Sequence, residues 1–248
     1  MPSRRLSCQQ CRRFSPRSNR LWTQRTCRLL TQRALNTTIS ILRAMTESPE
    51  TGNRTSSYTG EGDTGTTVFG GHGLCSKHDV RVVAHAECDE ANAAVSVAIA
   101  TGGLPTDVTA MLVSVQNDLF DAEADLLTPL NHLEPASARV VPAHVERLER
   151  AYEHFAAEAD DLSGMVLPGG TLSAALLYQA RGVVRRAERA VWAAVEEYPD
   201  TVNPQVGIYL NRLSSLLFVL ARNANVEHGD ITWVPEFSVR DPEPDENA

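Results

Sequence analysis

Lysine is almost missing from this sequence: Lys77 stands alone among 23 basic residues, and the other 22 are arginine. A Walker A loop needs its lysine directly after glycine, whereas Lys77 follows Cys75-Ser76, so conventional P-loop chemistry is excluded. Long apolar runs are missing too, and no stretch approaches the roughly eighteen consecutive apolar residues of a membrane span. Cysteine is scarce and odd in number. Of five, Cys8, Cys11 and Cys27 lie near the N-terminus, leaving Cys75 and Cys88, too few for a disulfide framework; a reducing compartment fits. Cys8-x-x-Cys11 lacks the second pair that a zinc site would need. Acidic residues are absent from residues 1–46, which hold ten arginines. The remainder therefore carries 13 basic residues against all 31 acidic ones, a balance of -18 hidden within the net charge of -8. Such an acidic body is a poor partner for nucleic acid, because phosphate attraction needs a basic face.

What is present is an ordinary globular composition: 248 residues, 42% apolar and 22% charged, enough for a sizeable core. Residues 1–57 read as an Arg-rich leader and flexible lead-in, 58–235 as the folded domain, and 236–248 as an acidic disordered tail. Met45 is followed by Thr-Glu-Ser-Pro-Glu, like an ordinary cytosolic N-terminus, which makes it the expected effective start and the cytoplasm the expected location. The alternative is a cleaved transit peptide over residues 1–44, which would place the protein in the mitochondrial matrix.

The body is patterned as helices. Asp89 can cap a helix running to about Ala100, and Pro105 and Asp107 set up a second with apolar Val108, Leu112, Val115, Leu119 and Leu126. A third begins at Pro142, with Val145, Leu148, Tyr152 and Phe155 as its stripe. Thr171 caps a fourth that runs to about Tyr198, and the fifth spans about Pro204 to Asn225. No hairpin and no alternating strand pattern is evident. The expected fold is all-α, an up-and-down bundle of five helices with a Gly-rich loop at its N-terminal side.

Three clusters could carry chemistry. Residues 58–71 hold five glycines and four threonines, which suits a backbone-amide and hydroxyl cradle for phosphate, or a plain flexible loop. Residues 180–189 carry Arg181, Arg185, Arg186 and Arg189 with Glu188; such arginines grip phosphates or carboxylates, or form structural salt bridges. Residues 209–222 are apolar almost all round, so Asn211 and Arg212 within them need hydrogen-bond partners.

Taken in order, these clusters resemble the PduO-type corrinoid adenosyltransferases. The resemblance runs over about residues 58–235: Tyr58–Thr67, Lys77-His78-Asp79-Val80-Arg81-Val82, Asp89-Glu90-Ala91-Asn92, Val115–Phe120, Met165-Val166-Leu167-Pro168-Gly169-Gly170, Arg181–Arg189 and Tyr209–Ser215. It implies a ferritin-like bundle assembled as a homotrimer, with each active site between two subunits. Thr59, Gly60, Glu61, Gly62, Thr67 and Val68 would wrap ATP, and Lys77, Arg185, Arg186 and Arg189 would reach its phosphates. Glu188 and Asn211, beside Ala187, would contact the adenosine or the metal-bound phosphates. Asp89 would pair with Arg181 across the interface, which with Arg185 makes the expected catalytic set; Met165 and Ser215 would face cobalamin.

The implied reaction transfers the 5′-deoxyadenosyl group of ATP to cob(I)alamin, giving adenosylcobalamin and triphosphate. Cobalt is the nucleophile, so the protein need supply none and must aim C5′ and stabilise the departing triphosphate with arginine and Mg²⁺. No protein side chain is implied as a metal ligand. A reductase and an adenosylcobalamin-dependent acceptor enzyme are the implied partners. Gly60 stands where the family has lysine, Thr64 at an often charged position, Met165 for phenylalanine and Ser215 for aspartate. Met165 and Ser215 motivate a second reading, a non-catalytic carrier or sensor of ATP or adenosylcobalamin.

Overall fold

The structure, a computed structural model, describes residues 60–239 apart from 102, 134, 135, 137, 158, 160, 161 and 163. The leader, Tyr58, Thr59 and residues 240–248 lie outside the described residues, so the expectations placed on them stay as they were.

Five helices carry the fold: α1 Val80–Ala100, α2 Thr106–Leu127, α3 Pro142–Ala156, α4 Leu172–Glu197 and α5 Pro204–Asn223. Four of them begin near where the sequence places them. Proline sits in the first turn of α3 and α5, where its missing N–H is harmless. The Thr171 hydroxyl accepts from the Ala174 amide and caps α4, and the Asn203 side chain caps α5 through the Gln205 amide. The first helix differs from expectation. It starts at Val80, not Asp89, because Asp79 is the cap and accepts from the Arg81 amide at 2.9 Å.

A second difference lies ahead of α1. Strands β1 (Thr66–Val68) and β2 (Leu74–Ser76) pair antiparallel as a small hairpin, in a stretch with no alternation to read. Its tip, Gly70–His72, is one turn of 3₁₀ helix. In α3, Ala151 and not Tyr152 completes the buried stripe with Val145, Leu148 and Phe155.

One seam of the core runs between α1 and α4. On α1, Ala84, Cys88, Ala91, Val95 and Ala98 are fully buried; on α4, Leu177, Ala180, Val184, Ala187, Val191 and Ala194 are fully buried. Their alternating three- and four-residue spacing is a coiled-coil seam, and its alanines let two antiparallel helices approach closely. Helix α5 lies on the other side of α4, α2 packs along α1, and α3 packs along α5. Eleven residues of α5 are buried. Polar groups tie the layers: the Tyr209 hydroxyl donates to Asp118 (2.9 Å), which also binds Arg147, joining α5, α2 and α3. Burial and the Asp118 carboxylate hold the Tyr209 phenol well above its ordinary pKa, so it stays a donor. No helix among the described residues is long and apolar enough to cross a membrane.

Candidate active site

The Gly-rich loop folds back on itself before the hairpin. The Asp63 amide donates to the Gly60 carbonyl and the Gly65 amide to Gly62, making two successive tight turns. Gly62 needs its glycine: φ is +85°, and a Cβ there would lie 3.0 Å from both the Lys77 ammonium and the Thr66 carbonyl. Lys77 reaches this point because its own amide donates to the Gly65 carbonyl at 2.9 Å. The single lysine of the chain is thus seated on the Gly-rich loop. Gly60 and Glu61 are exposed, Thr67 is half-buried, and Val68 presents 75% of its surface outward.

Arg81 fixes this assembly to the bundle. Its Nε and Nη2 donate to the Asp79 carboxylate at 2.9 and 2.7 Å, its Nη1 lies 2.9 Å from His72 Nδ1, and its guanidinium covers the Tyr198 ring at 3.8 Å. The hydrogen bond from Arg81 is the main reason the Asp79 carboxyl sits below its usual pKa. Gly70 packs so tightly on the end of α2 that a Cβ would run into the Leu127 carbonyl.

The arginines of α4 divide by partner. Arg186 is held within the chain by two carboxylates of α1, Glu87 at 2.6 Å and Glu90. Arg185 and Arg189 are exposed and paired with no carboxylate among the described residues. Arg181 is half-buried over Phe218, and its Nε is enclosed without a hydrogen-bond partner. Desolvation first, then the neighbouring Arg185, push its pKa down. Ala187 lies in the core seam, and Glu188 points outward to accept from Asn211 at 3.0 Å. Asn211 also accepts from Arg212 (2.8 Å), which pairs with Glu149 of α3. Both polar residues of α5 are therefore satisfied, as their setting demands, but Asn211 is exposed and not buried. Asp89 is exposed on α1, close enough to Glu123 and His85 to shift both.

At 1.5 Å per residue, Arg189 and Arg185 lie roughly 14 and 20 Å along α4 from Tyr198. The Arg81–Tyr198 contact and the Arg186–Glu87 pair set α1 antiparallel to α4. Arg81, to which His72 of the hairpin is joined, therefore stands at a different level of the bundle from the free arginines.

The Met165-to-Gly170 segment is built as a platform. Val166 bridges Thr232, the Leu167 amide donates to Ile231, and the Trp233 amide donates to the Met165 carbonyl. Buried Asn225 binds the Gly169 carbonyl, the Thr171 amide and Asp230, filling the space a Gly170 Cβ would take. Met165 is 67% exposed, among exposed Leu167, Leu172, Ile231 and Trp233. A pocket of about 320 Å³ opens beside it, lined by Val166, Arg222, Asn225 and Thr232 among others. Ser215 lies elsewhere, in a groove of about 380 Å³ with Glu149, Tyr152 and Arg212.

Sequence reasoning passed over Arg81, His72, Glu87 and Glu90 as site residues. The Asp79-Val80-Arg81 spacing was the one available signal, since an acid two residues before an arginine at a helix start makes a cap with a forked partner.

Comparison with known proteins agrees with this architecture. The cobalamin adenosyltransferase family profile matches residues 57–224. The corrinoid adenosyltransferase of Mycobacterium tuberculosis is 48% identical over 180 residues, 72% of this chain and 92% of that protein. That of Bacillus subtilis is 37% identical over 175 residues, 69% of this chain and 88% of its own. A variant PduO-type ATP:corrinoid adenosyltransferase from Lactobacillus reuteri, solved with cobalamin and ATP, superposes with a TM-score of 0.66 at 32% identity, covering 73% of this chain and 97% of that one. Matched over residues 57–224 and 48% identical to a relative it covers to 92%, this chain belongs to the cobalamin adenosyltransferase family.

Proposed function

We propose that this enzyme transfers the 5′-deoxyadenosyl group of ATP to cob(I)alamin, producing adenosylcobalamin and triphosphate. The observation that carries the reading is the unneutralised cationic face of α4: exposed Arg185 and Arg189, with Arg181 enclosed and short of a partner. An arginine surface of this kind is matched by a triphosphate, whose charge grows as the C5′–O bond breaks. Cob(I)alamin supplies the nucleophile when bound. The protein orients ATP with the loop around Gly60, Glu61, Gly62, Thr67 and Lys77, together with Thr59 and Val68, and holds the leaving group with arginine. Mg²⁺ would ride on the phosphates and not on protein side chains.

The distance along α4 between Arg185 and the Arg81–Tyr198 contact that anchors the hairpin supports a site completed by a second copy, in a homotrimer. Asp89 of the neighbouring copy would satisfy the enclosed Arg181 Nε, and the Glu188–Asn211 pair would face the nucleotide. Cobalamin would meet the apolar Met165 platform. Residues 58–235 form the catalytic domain, a cytosolic setting suits it, and a reductase would supply the electron that makes Co(I).

The test uses the full chain with cob(II)alamin, a chemical reductant and MgATP. Loss of the cob(I)alamin absorbance, a light-sensitive Co–C product and equimolar triphosphate are expected. ATP binding without product would instead make the protein a carrier. Mixing an Arg185→Ala chain with a Gly62→Val chain should restore turnover if the site spans two copies; two inactive partners that stay inactive would sink the shared site.

A further inference from the structure

His72 sits at the tip of the hairpin, and its ring is used on both edges. Nε2 lies 3.0 Å from the Leu126 carbonyl, and Nδ1 lies 2.9 Å from Nη1 of Arg81. A carbonyl accepts only, so Nε2 must carry a proton. A guanidinium donates only, so Nδ1 must offer its lone pair. One protonation state meets both demands, the neutral ring with hydrogen on Nε2. Phe69, itself buried, stacks on that ring at 5.5 Å and is met edge-on by His85.

The ring is also a mechanical joint. Arg81 belongs to α1 and rests on Tyr198 at the end of α4; Leu126 is in the last turn of α2; His72 belongs to the hairpin that follows the Gly-rich loop. Among the described residues, His72 thus links the loop-bearing hairpin to α1 and α2 through side-chain bonds.

We propose that His72 is a positioning residue, a proton-sensitive latch that holds the hairpin, and with it the ATP loop, in place while its ring is neutral. The inference rests on reading that loop as the nucleotide site. Adding a proton at Nδ1 sets N–H against N–H and a second positive charge against Arg81, so the joint opens. The groups that face the ring are Arg81 and Asp79 at the start of α1 and His132 beyond α2, with the Leu126 carbonyl from α2. Burial is the largest influence and Arg81 adds to it; both hold the ring neutral to lower pH than an ordinary histidine, outweighing the Leu126 carbonyl and Asp79.

Two measurements on the full chain test this. The first follows the ring nitrogens by ¹⁵N NMR without ligand. A neutral ring protonated at Nε2 at about pH 7.5, titrating below the ordinary histidine range, is expected; a charged ring or the other tautomer at that pH would overturn the latch. The second measures MgATP binding at about pH 7.5 and about pH 5.5 in the natural protein and in His72→Gln. Glutamine offers one donor and one acceptor but does not titrate. The natural protein should lose roughly threefold in affinity at the lower pH, the scale set by partial charging of a ring that titrates below the ordinary histidine value. His72→Gln should bind as well as the natural protein at the higher pH and lose far less at the lower. Equal losses in both proteins would assign the effect to the nucleotide's own protonation and overturn the proposal. No ATP binding at either pH would refute the nucleotide reading itself, and the ring titration would then judge the latch alone.

Discussion

The Arg81 guanidinium carbon lies over the Tyr198 ring, 3.8 Å from its centroid. One residue belongs to the first turn of α1 and the other closes α4, so this contact decides where the hairpin meets the helix that carries the arginines. Removing the ring in Tyr198→Leu should loosen the hairpin, because Arg81 loses the cation–π contact that seats it at the end of α4. Proteolysis within residues 60–76 should quicken while the melting temperature of the bundle moves little. A large drop in that temperature would make the contact a core element and not an anchor.

Arg185→Ala should abolish turnover and leave the fold intact. The side chain is exposed and pairs with no carboxylate among the described residues, so its loss removes charge from the α4 face and no core volume. Helical circular dichroism and the melting temperature should match the natural protein; near-normal triphosphate release would refute the assignment.

The α1–α4 seam predicts the opposite pattern. Ala91→Leu inserts a branched side chain between two closely approaching helices, where Ala91 is fully buried. Overpacking of that kind costs about 1–3 kcal/mol. Urea denaturation should show the loss, and an unchanged midpoint would mean the seam is looser than its alanines imply.

Glu123 gives a pH-dependent prediction. It is buried on α2, its Oε1 has no hydrogen-bond partner, and burial with nearby Asp89 raises its pKa to about 7 from an ordinary 4.5. The folded state therefore holds the proton more tightly than the unfolded chain. The resulting stabilisation is complete below about pH 4.5 and is lost as pH rises through about 7. Glu123→Gln should raise the melting temperature at about pH 8 and change it little at about pH 5. An equal effect at both would show that the carboxyl is not protonated in the fold.

How much of this was legible in the sequence depended on the range of the interaction. Helices α2 to α5 announce themselves locally, through Pro105, Pro142, Thr171 and Pro204 at their starts and apolar spacing after them. The start of α1 was hidden because Val80, Val82 and Val83 look like strand formers, and Asp89 is as good a cap by type as Asp79. The hairpin was hidden because strands of three residues are too short to show alternation. In the candidate site, Lys77 and the α4 arginines stood out through composition and order. Arg81 and His72 did not, since what defines them is a set of partners spread over four elements, the Leu126 carbonyl and the Tyr198 ring among them. Which arginines are already neutralised was equally unreadable, because Glu87 and Glu90 reach Arg186 only once α1 lies along α4.

Helix α4 works as a gauge block. It carries the hairpin's resting place at one end and the free arginines near its middle, on one uninterrupted rod. If two copies share a site, that rod sets the pitch at which complementary halves must recur, much as the spacing of pins fixes which sockets a plug will enter. Inserting one residue between Arg189 and Tyr198 would lengthen the rod by about 1.5 Å but also turn its far end by about 100°. The same rotation would carry Val191 and Ala194 out of register with Val184 and Ala187 in the buried seam, so the core and the arginine face are locked to one spacing by one helix.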